Sequence, residues 1–328
     1  MFDLISIGDC VVDTFIPLTD AKIINSDGEA MLAMRFGDKI PVGDSVSIVA
    51  GNAANNAVGS SRLGLKTAIY TNVGDRGEEE YDQRIIAKFK SEKVDTRYVI
   101  HDKTLPSNHH IVLNFKGERT ILIHHQPWKF NLPDLDRSRW VYLTSMSPSY
   151  LESNVVEQLI NYIERSGAKL FYQPGTFQIK FGVNKNARLL SLTELFIVNL
   201  EEAKVILGHH ESDNISIKKL LNGIVDLGSR MAIITDGGKG SFGFDGEKYY
   251  KLDIFPANLV EMTGAGDAYA TGVLAGLFHG KDLPEAMRWG AANGASVVEQ
   301  VGPQAGLLSY DKMQEKLKEN VKIVTKEI

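Results

Sequence analysis

Trp140-Val141-Tyr142-Leu143, then Val155-Val156-Glu157-Gln158-Leu159-Ile160-Asn161-Tyr162-Ile163-Glu164-Arg165, then Lys169-Leu170-Phe171-Tyr172 read in order as a strand, an amphipathic helix and a second strand. The same rhythm runs outward in both directions. Upstream, Leu4-Ile5-Ser6-Ile7 and residues 67–73 are strands, separated by a small-residue helix that opens at Gly51 and stops at Gly64. A further helix spans 78–92, with Tyr81, Ile85, Ile86 and Phe89 on one side. Downstream come strand 195–198, helices 201–207 and 217–227, strand 231–235, a hairpin at Asp245-Gly246, and helices 267–278, 283–300 and 309–320. Alternating β and α elements predict an α/β fold, with a largely parallel central sheet flanked by helices on both faces.

Two blocks of short strands interrupt that rhythm. Residues 31–40 and 45–49 surround the turn Pro41-Val42-Gly43-Asp44, and 98–100, 109–115 and 119–124 follow later. They are expected to pair as a small β-sheet, a lid formed by roughly 14–49 and 98–124, on a single α/β domain spanning 1–328. No internal repeat, low-complexity run or linker divides the chain.

The composition narrows the function. Thirty-six Lys and Arg against 41 Asp and Glu leave a net charge of −5, which argues against a nucleic-acid partner. A single cysteine, Cys10, excludes an internal disulfide and any cysteine-based metal site. No apolar run approaches the ~18 residues of a membrane helix. The start of the chain is acidic at Asp3, where a signal peptide is basic. These features predict a soluble cytoplasmic protein with no membrane partner.

Thr263-Gly264-Ala265-Gly266-Asp267 precedes a small-residue helix. Unpaired N–H groups of Gly264, Ala265 and Gly266 at a helix start make an anion site suited to a phosphate. Asp267, in the first turn, reads either as an ordinary N-terminal helix acid or as a base taking a hydroxyl proton. The helix dipole predicts a low pKa for it. Gly238-Lys239-Gly240-Ser241-Phe242-Gly243 satisfies G-x-G-x-x-G, but alternating text around Asp245-Gly246 follows it instead of a helix, so a dinucleotide fold is excluded. There is no Walker A loop. The pairs His109-His110, His124-His125 and His209-His210 have no metal-binding spacing, although a histidine of the second β block is a candidate for touching substrate.

Gly264-Ala265-Gly266-Asp267 resembles the C-terminal signature of the ribokinase-like (PfkB-type) sugar kinases. The segment Ala50-Gly51-Asn52-Ala53-Ala54-Asn55-Asn56-Ala57, with Gly64 and Gly74, resembles their N-terminal signature. Val73-Gly74-Asp75 with Gly77, Gly117-Glu118-Arg119-Thr120 and Asn199-Leu200-Glu201-Glu202 follow in the family's order, so the resemblance covers nearly the whole chain. It implies a ribokinase-like fold and an ATP-dependent phosphotransferase acting on a hydroxyl, a primary one as the first expectation, of a small sugar or sugar-like alcohol. Asp267 is then the base and Gly264, Ala265 and Gly266 the anion hole. Asp13, Gly51, Asn52 and Asn55 bind the acceptor, although the two asparagines equally suit turns and helix caps. Thr235, Gly237, Gly240 and Asn293 bind ATP. Asn199 and Glu202 stand near Mg2+, or form only a capping box. Where the family usually has Asp-Thr before the Thr-Gly-Ala-Gly-Asp core, this chain has Glu261-Met262, which leaves a monovalent cation (K+) open. A nucleoside is the alternative acceptor, with Phe15 and Phe36 as candidate aromatics. A catalytically silent binder and a homodimer through the lid are further alternatives.

Overall fold

The computed structural model describes residues 1–26, 28–76, 80–210 and 212–328; Gly77 and the expected helix start at Glu78 lie outside them. In the first half, the strands are β1 (Phe2–Ile7), β2 (Val11–Pro17), β3 (Lys22–Ser26), β4 (Glu29–Ala33), β5 (Val46–Ala50), β6 (Thr67–Gly74), β7 (Asp95–Asp102), β8 (His109–Phe115) and β9 (Glu118–His124). Helix α1 (Asn52–Arg62) precedes β6, and α2 (Tyr81–Ser91) precedes β7. The second half contains β10 (Ser138–Leu143), β11 (Lys169–Tyr172), β12 (Thr193–Asn199), β13 (Met231–Thr235), β14 (Ser241–Phe244), β15 (Tyr249–Leu252) and β16 (Lys326–Glu327). Its helices are α3 (Val155–Ser166), α4 (Thr176–Phe181), α5 (Ala187–Ser191), α6 (Leu200–Ile206), α7 (Ile217–Asp226), α8 (Ala265–Phe278), α9 (Leu283–Val297) and α10 (Tyr310–Glu319).

The large sheet has the order β16-β15-β14-β13-β12-β11-β10-β1-β6-β7. From β7 to β13 every pairing is parallel, and β14 to β16 are added antiparallel. Period-2 alternation sends each parallel strand's side chains into two cores. Ile5, Val141, Leu143, Phe196, Val198 and Ile234 pack beneath α3 and α7, whereas Leu4, Trp140, Tyr142, Leu195, Ile197 and Ile233 pack beneath α8 and α9. That division explains why these strands read as continuous apolar runs. Helix α8 is apolar nearly all round because it is buried between the sheet and α9. Gly272 makes the close approach possible: a Cβ there would lie 2.4 Å from the Trp289 carbonyl oxygen.

The small sheet has the order β5-β2-β8-β9. Its boundaries differ from the expectation. It begins at Val11, and residues 98–100 belong to β7, which pairs with β6 on the edge of the large sheet through the α2 crossover. The expected strand 31–40 ends at Ala33, where β4 pairs only with β3 as a separate ribbon. Among the described residues, no helix is long and apolar enough to cross a membrane.

Candidate active site

The chain runs outward from β1 through β6 to β7 on one side, then from β10 to β13 on the other. The order therefore reverses between β1 and β10, the place where open α/β sheets bind ligands beyond the carboxyl ends of their strands. A cleft of about 430 Å3 opens there. The ends of β1, β10, β11, β12 and β13 contribute Asp9, Ser145, Gln173, Asn199 and Thr235 to its wall. The first turn of α8 and the small sheet supply the rest.

Asp267 sits at the centre of this arrangement. Asn55 Nδ2 donates to Asp267 Oδ2 at 2.8 Å, and Gln304 Nε2 donates to Asn55 Oδ1 at 2.9 Å, so the carboxylate is held from behind. The contact exists because α1 packs directly on α8, tied also by Asn56 Nδ2 to Thr271 Oγ1 at 3.1 Å. Burial pushes the Asp267 pKa up to about 6, with Glu202 and Asp13 adding to the rise and the Asn55 hydrogen bond opposing it. The low value expected from the helix dipole is thus overturned by desolvation, which places this carboxylate near the operating range of a base. Gly264 caps α8 with φ 80°. The Ala265 N–H is turned back to the Met262 carbonyl at 3.2 Å, so Ala265 drops out of the expected anion hole, whereas Gly264 and Gly266 line the cleft. Glu261 is folded onto the same loop. Its Oε1 accepts from the Thr263 hydroxyl, and its Oε2 accepts from the Gly302 N–H at 2.8 Å.

At the other end, Asp13 and Asp9 face the cleft from β2 and the turn after β1. Both are buried, and Asp13 Oδ1 and both Asp9 carboxylate oxygens have no hydrogen-bond donor among the described residues. His110 Nδ1 lies 3.3 Å from Asp13 Oδ1, and His125 Nδ1 lies 3.4 Å from Asp9 Oδ2. The two rings meet edge to face, and His125 meets Phe177 in the same way. Burial raises the Asp9 pKa against the pull of His125 and Ser147. Buried carboxylate oxygens without donors are suited to hydroxyl groups. Gly51, Asn52 and Asn55 line the same end. Of the expected aromatics, Phe15 is buried in the core beneath β2 and Phe36 is fully exposed. Phe177 takes the place foreseen for them, in a segment with no distinguishing motif.

Asn199 and Glu202 form the reciprocal capping box: Asn199 Oδ1 accepts from the Glu202 N–H at 2.8 Å, and Glu202 Oε2 accepts from the Asn199 N–H at 2.9 Å. They also line the cleft. Burial raises the Glu202 pKa. A desolvated carboxylate with one oxygen left over from the cap fits a hydrated cation, so these residues suit magnesium. Thr235 lines the cleft at the end of β13. Gly240 does not. Its φ of +91° and the Leu252 carbonyl, 2.0 Å from where a Cβ would stand, make it a turn residue before β14. Gly237 belongs to the same exposed turn. Asn293 is displaced outright from the expected nucleotide role: it is fully buried, donates to the Ala268 carbonyl at 2.8 Å and accepts from the Leu308 N–H at 3.0 Å. Both ends of its amide are consumed in tying α9 to α8 and the segment before α10.

Residues 3–309 match the family model described as pfkB family carbohydrate kinase. The chain belongs to the PfkB family. A curated 5-dehydro-2-deoxygluconokinase of Geobacillus thermodenitrificans is 27% identical over 81% of this chain and 83% of its own. Among solved structures, Arabidopsis thaliana ribokinase complexed with ribose and ATP superposes with a TM-score of 0.79 at 20% identity, covering 97% of this chain and 99% of its own. The nucleoside kinase of Methanocaldococcus jannaschii, a ribokinase-family member, gives 0.75 at 20% identity over 98% and 99%. The fold of this PfkB-family kinase is therefore ribokinase-like, and as a member of that family it is a phosphotransferase.

Proposed function

We propose that this PfkB-family kinase transfers the γ-phosphate of ATP to a primary hydroxyl of a small sugar or sugar-like alcohol. The observation that carries this reading is the meeting of Asp267, at the N-terminus of α8, with the buried carboxylates of Asp13 and Asp9, each beside a histidine, across one cleft. Asp13, Asp9 and Asn52 orient the acceptor's hydroxyls. The reacting hydroxyl attacks the γ-phosphorus in line and gives its proton to Asp267, while the bond from the γ-phosphorus to the bridging oxygen breaks and ADP leaves. N–H groups of the first turn of α8, Gly266 among them, stabilise the charge that develops on the phosphoryl oxygens. Asn199 and Glu202 would hold magnesium, which when bound would neutralise the triphosphate charge. Closure of the small sheet as a lid brings the exposed Ile121 and Ile123 over the acceptor and excludes water.

A second acceptor class has its own support. The His125–Phe177 pair, with ring centroids 5.4 Å apart, offers an aromatic surface on which a nucleobase can stack. ADP release from MgATP, measured across pentoses, hexoses, sugar acids and nucleosides, separates the two. Turnover with one class assigns it, and release no faster than the acceptor-free blank removes the kinase reading.

Two further results are expected in that assay. First, kcat falls tenfold per pH unit below about 6, because Asp267 must be ionised to accept a proton. A rate flat from pH 5 to 8 rules out Asp267 as the titrating base. Second, exchanging K+ for Na+ or a bulky organic cation changes the rate by less than about twofold. The carboxylate of Glu261 is occupied by Thr263 and Gly302, the Met262 side chain carries no oxygen, and the Met262 carbonyl accepts from the Ala265 N–H. Strong K+ activation would contradict that assignment.

A further inference from the structure

We propose that the acceptor carries an anionic group, a carboxylate or a phosphate ester, and that Arg119 of β9 recognises it. The inference rests on the kinase reading above and specifies the acceptor of that same cleft. Arg119 pairs across the hairpin with Asn114, Ile121 with Val112 and Ile123 with His110, so all three β9 residues share the face that lines the cleft. Arg119 is the one arginine or lysine among the lining residues, which include the four carboxylates of Asp9, Asp13, Glu202 and Asp267. It reaches none of them. Its side chain makes no hydrogen bond, ion pair or ring contact with any described residue. Arg35, Arg97, Arg188 and Arg230 on the surface are each paired with a carboxylate, and the exposed Arg137 and Arg165, which are not, stand outside the cleft.

The spacing fits an elongated ligand. Asp13 pairs with His110 across β2 and β8, and His110 with Ile123 across β8 and β9. Arg119 lies four residues along β9 from that level, about 13 Å at the rise of a strand, and its long side chain spans part of the gap. Hydroxyls held at Asp13 and Asp9 would leave the far end of a sugar-sized chain near the guanidinium. The planar fork of arginine matches carboxylate and phosphate oxygens in pairs. The ATP phosphates lie on the opposite wall in the reading above, at α8 and the ends of β12 and β13. Arg119 stands on the small sheet, on the acceptor's side.

The experiment compares wild type with Arg119→Ala and Arg119→Lys on uncharged sugars, sugar acids, sugar phosphates and nucleosides. Arg119 is exposed and unbonded, so neither variant should disturb folding. The expected result is that the best acceptor is anionic, and the sugar-acid and sugar-phosphate arms tell which group it bears. Arg119→Ala then raises the KM for that acceptor about 30-fold, with kcat and the KM for ATP changed less than threefold and partial rescue by lysine. A best acceptor that is uncharged overturns the proposal and leaves the kinase reading intact. So does an Arg119→Ala effect confined to kcat or to the KM for ATP. If no ADP is released with any acceptor, the kinase reading fails, and calorimetric binding decides separately. Sugar acids or sugar phosphates that bind wild type and are lost in Arg119→Ala uphold Arg119 as the anion site, and no such binding overturns it.

Discussion

Asp267→Asn is expected to lower turnover about 1000-fold while making the folded protein more stable at pH 7.5. The loss follows from removing the proton acceptor assigned to the first turn of α8, within the range that general-base catalysis contributes. Binding of acceptor and MgATP should persist, since the amide can still accept from Asn55 Nδ2. The gain in stability follows from burial. The carboxyl group rises from an ordinary 3.8 to about 6 in the folded chain. A raised folded-state pKa favours the native state below the unfolded value and loses that contribution as pH rises through about 6. At pH 7.5 wild type therefore holds a desolvated charge that the amide avoids, a difference of about 1–3 kcal/mol. Urea midpoints at pH 7.5 and 4 measure it, and the gap between variant and wild type should close at the lower pH. Near-normal turnover sinks the assigned role. A variant less stable than wild type at pH 7.5 sinks the account of its burial.

Gly264→Ala should be damaging in a different way. Gly264 has φ 80°, and a Cβ there would stand 2.4 Å from Pro303 Cβ and 2.6 Å from its Cα. Left-handed backbone costs an alanine about 1 kcal/mol. Overpacking against a proline, which cannot swing aside, adds about 1–3 kcal/mol. The total, about 2–4 kcal/mol, should lower the urea midpoint clearly. The first turn of α8 must also shift, drawing Asp267 from Asn55, so the folded enzyme loses at least tenfold in kcat. Gly266→Ala is the control for stability. Its Cβ would meet only Gln173 Nε2, at 3.9 Å, with no positive φ, so its stability should change by less than about 1 kcal/mol. Equal destabilisation by the two would show that the Pro303 contact does not decide the effect.

The contrast between these neighbouring glycines shows what local sequence carries. The small residues before α8 announced a tight turn and a helix start, and both are present. Which glycine is jammed against Pro303, about 40 residues later, is a tertiary fact. The histidines make the same point. Neighbours in sequence diverge on a strand, so His109-His110 and His124-His125 suggested no metal site, only a histidine that could touch substrate. Pairing of β8 with β9 brings one member of each pair together, beside carboxylates of β2 and the turn after β1. Arg119 was visible within Gly117-Glu118-Arg119-Thr120, but its lack of a partner was not. Asn293 erred in the opposite direction: an asparagine on the expected helix matched the pattern, yet the side it presents to α8 decided its use.

Periodicity alone determined the alternating α/β architecture, because strands buried on both faces must be apolar throughout and their crossover helices must be amphipathic. The spaced glycine and asparagine signatures also determined where the cleft would open, since backbone that closely approaches a ligand or another chain segment requires residues without bulk. Tertiary structure alone decided the state of the groups inside it. Whether Asp267 is a weak base or a competent one, whether Glu261 is available to a cation, and whether Arg119 finds a counter-charge all depend on neighbours brought close by folding, such as Asn55 beside Asp267 and Gly302 beside Glu261. Desolvation and charge act through space, and only the folded chain sets those distances.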